Sequence, residues 1–138
     1  MHEEVLSFWF GEIDPKSWWS ADPDFDELVR GRFLDAMQAA AAGELYEWRV
    51  TARGRLAEVI VLEQFSRNVY RNTPRAFAQD PMALALAQEA VAAGALGSLD
   101  PTERSFLLLP YMHSESRKLH VVAEALYREF APAGNYDF

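Results

Sequence analysis

Along most of the chain, apolar residues recur at intervals of three and four, and in one segment they point in nearly every direction. Leu56, Val59, Ile60, Val61, Leu62, Phe65 and Val69 are spread almost all round a helix turning about 100° per residue, the pattern of a helix packed on most sides. This segment, beginning near Thr51, is predicted as the central helix. Before it, Val5, Leu6, Trp9 and Phe10 predict a helix from about Glu3 to Phe10, stopped by Gly11, and a helical turn after Pro15 carries Trp18 and Trp19. Phe25, Leu28, Val29, Phe33, Ala36, Met37 and Ala40 then form one stripe, predicting a helix from Asp22 to about Ala42 with Gly43 as its stop. After the central helix come a short turn, Pro74 to Ala78, and a helix from Pro81 to Ala93 packed by Met82, Leu84, Leu86, Ala90 and Val91. The next helix follows Asp100, and Pro110, lacking a backbone donor, should bend or break it between Leu109 and Tyr111. A last helix reaches about Phe130 with Leu119, Val122, Ala123, Leu126 and Tyr127 inward, and the tail, residues 131–138, is expected to fray.

The punctuation agrees with this pattern. Asp14-Pro15, Asp22-Pro23, Thr73-Pro74, Asp80-Pro81 and Asp100-Pro101 each place a capping side chain before a proline, the arrangement that starts a helix, and Glu103 stands where it can cap Asp100 in return. No alternating β-branched segment competes, so the chain reads as all-α, a single domain over residues 1–138. Short connections favour antiparallel neighbours, which gives stacked helical hairpins.

Polar residues on a buried helix carry the information. At regular helical spacing Glu63 and Arg67 stand at i,i+4 on the face of Leu56, Val59 and Ile60, and the bland expectation is an internal ion pair. The sharper one is a polar cleft at the end of this helix, where Arg67, Arg71 and Arg75 offer donors to an anionic ligand. Residues 49–75 hold six arginines against two glutamates, a local balance of +4 that leaves −12 elsewhere. Such an island either meets an anion or pairs with the chain's own acidic segments, such as Asp22 to Glu27, and the second is the commoner outcome. If the fold gathers them, Gln64, Arg67, Asn68, Arg71, Arg75, Asp80, His113 and Glu115 would line a pocket with Phe65, Tyr70, Phe77 and Tyr111, suited to a small anionic or zwitterionic ligand or a peptide.

The stretches FWFG at 8–11, GRLAEVIVLEQFSRN, its continuation VYRNTPRAFAQDP and ERSFLLLPYMHSE at 103–115 resemble a bacterial family, the domain of unknown function 924. The resemblance covers nearly the whole chain. It implies a fold similar to tetratricopeptide-like helical arrays and no activity. It also implies a shortened chain, because members of the family continue past Tyr136, Asp137 and Phe138 into a further helix.

Composition narrows the chemistry. Half of the 138 residues are hydrophobic and none is cysteine, so disulfides and thiol nucleophiles are excluded. A net charge of −8 disfavours nucleic acid and anionic membranes, no apolar run approaches the roughly 20 residues of a membrane span, and the acidic N-terminus is unlike a signal peptide, so a cytoplasmic protein is expected. Ser114 has no flanking glycines to make a nucleophile elbow, and His113 and His120, two turns apart beside Arg117, are poorly spaced for a metal. Isolated glycines form no phosphate loop. The reading is therefore a binding or interaction module without cofactor, metal or assigned catalytic residue, with an enzyme using the Glu63, Arg67, His113 and Glu115 region as the alternative. A homodimer through the C-terminal helix is expected, because the stripe at 119–127 would otherwise lack its usual cover.

Overall fold

The computed structural model describes residues 1–131, and these are helical with no strand among them. The predicted tail thus lies outside the described residues except Ala131, which is buried at the end of the last helix. Helix α1 (His2–Ser7) widens into a π turn (Phe8–Glu12), and α2 spans Pro23–Ala41. The predicted central helix forms as α3 (Ala52–Ile60), a π turn (Val61–Phe65) and α4 (Ser66–Val69) without a break. Helices α5 (Asp80–Ala92), α6 (Pro101–His113) and α7 (Arg117–Phe130) follow, joined by 3₁₀ turns or short bends. Helix α3 packs against α1, α5 and α6, and its π turn against α2 and α5, so every side of it is covered. Leu56, Val59, Ile60, Val61, Leu62 and Phe65 are at most 1% exposed, which is why no single stripe was visible in the sequence.

Local chemistry explains the helix ends. The carboxylates of Asp14, Asp22 and Asp100 accept from backbone N–H groups two or three residues on, and Asp100 and Glu103 complete a reciprocal capping box. Gly43 takes φ +76° after α2, the left-handed stop that only glycine adopts cheaply. Thr73 and Asp80 depart from the expectation: neither side chain caps a helix, and Asp80 is itself the first residue of α5.

Three packing expectations are refined. Pro110 does not break α6, which runs on to His113 and stops at the extended Ser114. An internal proline costs about 3 kcal/mol, and burying each leucine-sized side chain returns about 1.5–3 kcal/mol, so the buried run Phe106 to Tyr111 outweighs it. In α5 Met82, Leu84, Leu86 and Val91 pack half-buried against the core as expected, while full burial falls to Ala83, Ala87 and Ala90. On α7, Ala123 and Tyr127 are buried, but Val122, expected inward, is 38% exposed and lies next to Val121, which is 70% exposed. Among the described residues no helix is long and apolar enough to cross a membrane.

Candidate functional site

The site begins at the π turn of the central helix. A π turn bonds i to i+5 instead of i+4, which shifts everything beyond it relative to a regular helix. Glu63 and Arg67 are separated by this shift, and the predicted ion pair between them does not form. Arg67 reaches only the Glu63 carbonyl oxygen, at 3.3 Å, and directs its planar fork at Asp80 in the first turn of α5, with both contacts 2.9 Å.

Glu63 instead points inward and is 1% exposed. Gln64 Nε2 donates to its Oε1 at 3.0 Å, and its Oε2 lies 3.0 Å from His113 Nδ1 on α6. That second contact is at ion-pair distance but its angle departs from hydrogen-bond geometry, so Oε2 makes no regular hydrogen bond. A carboxylate can only accept, so this contact favours the imidazole tautomer that carries its hydrogen on Nδ1 and its lone pair on Nε2. Burial pushes the Tyr127 hydroxyl far above its ordinary pKa, and the nearby negative charge of Glu63 adds to the shift.

The other arginines of the turn are also engaged. Arg71 donates from Nε and Nη2 to Asp26 of α2 at 2.7 and 3.0 Å, and Asn68 Nδ2 joins the same carboxylate at 3.1 Å. Those hydrogen bonds to Asp26 raise the Arg71 pKa, against the opposing effect of burial. Arg75 lies over the Tyr70 ring, 4.1 Å from its centroid, and donates to the Tyr70 hydroxyl at 3.1 Å. Farther along the basic island, Arg49 pairs with Glu58, and Arg53 with Glu3 and Glu103. Most of the island is thus matched to the chain's own acids.

A cavity of about 230 Å³ remains where these elements meet, lined by Gln64, Arg67, Asn68, Arg71 and His113 together with Trp18, Trp19 and Ser20. The fold therefore brings five of the predicted site residues together. Arg75 faces a smaller cavity of about 70 Å³ beside Tyr70 and Met37. Asp80 and Ser114 line a third, of about 210 Å³, which His113 shares, so the imidazole stands between two hollows. Glu115 is exposed and lines none of the three.

The expected aromatic walls are corrected as well. Phe65 and Tyr111 belong to the core, Tyr70 lies against Arg75, and Phe77 sits under the Arg67 guanidinium at 5.2 Å. Trp18 and Trp19 take their place. Trp18 is fixed by donating from Nε1 to the Trp9 carbonyl at 3.0 Å and by an edge contact with Phe106 at 4.8 Å. Both tryptophans stood out in the sequence as part of a short turn, but nothing local placed that turn against α6, and Ser20 carried no signal.

The chemistry this arrangement can perform follows from its donors. Arg67 and Arg71 each commit three of a guanidinium's five N–H groups internally, leaving the rest for a ligand. Asp26, Asp80 and Glu63 outnumber these two cations, so the cleft offers directed hydrogen bonds without an excess of positive charge. Among the described residues no three His, Asp or Glu side chains converge as metal ligands, and His120 is turned onto the Ser114 carbonyl, away from any shared site with His113.

A family model described as bacterial protein of unknown function (DUF924) matches residues 5–137. Among solved structures, a protein of unknown function from Agrobacterium tumefaciens is similar at 34% identity and a TM-score of 0.88, with 93% of this chain and 72% of that chain covered. No curated protein matches.

Proposed function

Because the chain belongs to this bacterial family of unknown function, which brings no activity with it, the cleft must carry the functional reading, and we propose that it binds a small, polar, neutral or zwitterionic molecule. The observation that supports this is the convergence of Gln64, Arg67, Asn68, Arg71 and His113 with two tryptophans around one opening. Its volume of about 230 Å³ lies below the roughly 300–1,000 Å³ of drug-sized ligand pockets, which favours a small metabolite over a peptide. The charge balance narrows the ligand further. Arg67 and Arg71 are already paired with Asp80 and Asp26, so a free dianion would find no unmatched positive charge, whereas a molecule with both donors and acceptors matches the spare N–H groups and the imidazole.

A metabolite screen by thermal shift tests the reading. Ligand at 100 times its Kd adds about 2.7 kcal/mol of stability, a shift of several degrees for a chain of this size. Ser20→Phe, which fills the cleft from its exposed rim, should abolish that shift. Compounds that stabilise both proteins equally bind elsewhere, and a screen in which every hit behaves so would overturn the proposal.

For the surface of α7 we propose contact with a second copy of the chain, supported by the adjacent exposed Val121 and Val122. Light scattering at micromolar concentration should give twice the chain mass, and Val121→Glu should halve it. A monomer under these conditions rejects the contact.

A further inference from the structure

Glu63 is unusual in being a buried carboxylate with an incomplete set of partners at the edge of a cavity. One oxygen is held by Gln64, and the other lies 3.0 Å from the His113 imidazole, off the hydrogen-bond axis, without a regular hydrogen bond. A purely structural carboxylate at this depth would be expected to gather regular donors on both oxygens. Catalytic hydrogen bonds, by contrast, are often poorly aligned without substrate and tighten when it binds. The ring meets the carboxylate at Nδ1, is one-third exposed and lines the cleft, which leaves Nε2 as the nitrogen able to act on a molecule bound there.

Resting on the reading of the cleft as a ligand site, we propose that Glu63 and His113 form a general-base pair that hydrolyses a small neutral or zwitterionic carboxylic ester. Nε2 of His113 accepts a proton from water as the water oxygen bonds to the ester carbonyl carbon, and the carbonyl π electrons move onto the carbonyl oxygen. The uncommitted N–H groups of Arg67 and Arg71, on the wall of the same cleft, receive that oxyanion. When the electrons return, the bond to the leaving oxygen breaks and that oxygen takes the proton back from the imidazolium. Water and ester are consumed, and acid and alcohol are formed. Glu63 touches no substrate; it is a positioning residue that selects the tautomer and stabilises the imidazolium. An ester suits the site better than an amide because its alkoxide is the better leaving group and its carbonyl the more electrophilic, so one general base and an oxyanion site suffice for it. A phosphoester, already anionic, would meet guanidiniums whose charge Asp80 and Asp26 already match.

Two measurements on the full chain test this. The first is acylation by diethyl pyrocarbonate, followed by mass spectrometry at a fixed neutral pH, which reads the availability of each imidazole lone pair without requiring a substrate. His113 should react faster than His2 and His120, and Glu63→Gln, close to isosteric, should slow it by roughly tenfold or more while the circular dichroism stays unchanged. The second is hydrolysis of 4-nitrophenyl acetate, where His113→Gln should lower the rate by about 10²-fold. Should Glu63→Gln fail to fold, the ranking of the three histidines in the wild-type protein still decides the first test. Acylation of His113 no faster than of the other two overturns the pair, and equal ester hydrolysis by wild type and His113→Gln overturns the activity. Either failure alongside a positive thermal-shift screen leaves the cleft as a binding site only, so the two proposals are separable.

Discussion

Helix α3 and its π extension carry two buried glutamates five residues apart, and their surroundings could hardly differ more. Glu58 is fully buried and accepts two straight hydrogen bonds from Arg49, both 2.8 Å, in a bidentate pair. Beside it Arg53 joins Glu3 and Glu103, and Gly54 lies so close to the Trp48 carbonyl that an added Cβ would sit 1.9 Å from the oxygen. Glu63 is equally deep but has one regular hydrogen bond, one misaligned contact and a cavity beyond it. Equal burial thus accompanies two different designs: a saturated pair that holds the 3₁₀ turn Tyr46–Val50 onto the helix, and an under-satisfied one left facing a cleft.

The comparison breaks most readily at Arg49. Arg49→Ala strands the Glu58 carboxylate without a counter-charge and should cost about 3–5 kcal/mol in urea unfolding. A loss below about 1 kcal/mol would mean that the first glutamate is no better anchored than the second. Gly54→Ala comes next, because the backbone of Trp48 cannot yield as a flexible side chain would; overpacking of about 1–3 kcal/mol is expected, read as a lower denaturant midpoint.

Glu63→Gln sharpens the contrast from the other side. It keeps the volume and the partner Gln64 while removing only an imperfect contact, so about 0.5–1.5 kcal/mol should be lost, together with the His113 reactivity described above. A loss as large as that of Arg49→Ala would make Glu63 a structural residue. The smallest effect belongs to Glu3, whose carboxyl pKa is lowered chiefly by its hydrogen bond to Arg53. A depressed carboxyl pKa contributes stability above the ordinary value of 4.5, and that contribution is lost as pH falls through the lowered one. The advantage of wild type over Arg53→Ala, followed by unfolding midpoints in an acid titration, should therefore shrink below pH 4.5, and an unchanged gap would place the contribution in packing.

Much of this was legible because it is local. Asp22, Gly43 and the Asp100-Glu103 box act on backbone groups within a few residues, so their type and spacing sufficed. The break expected at Pro110 does not occur, because its local cost is real while the burial that overcomes it comes from helices distant in sequence.

The candidate cleft divides along the same line. Gln64, Arg67 and Asn68 on the helix and Arg71 in the turn just after it follow from a polar run closing an apolar helix, and that much the amino-acid order determined. Which acid each arginine meets was decided by tertiary structure, because several carboxylates lie within reach of a flexible side chain and only packing selects among them: Asp80 is 13 residues from Arg67 and Asp26 is 45 residues from Arg71. The π turn that separates Glu63 from Arg67 and the seating of Trp18 against Phe106 are likewise products of packing, since hydrogen-bond register and aromatic contact between segments far apart in the chain leave no trace in local periodicity.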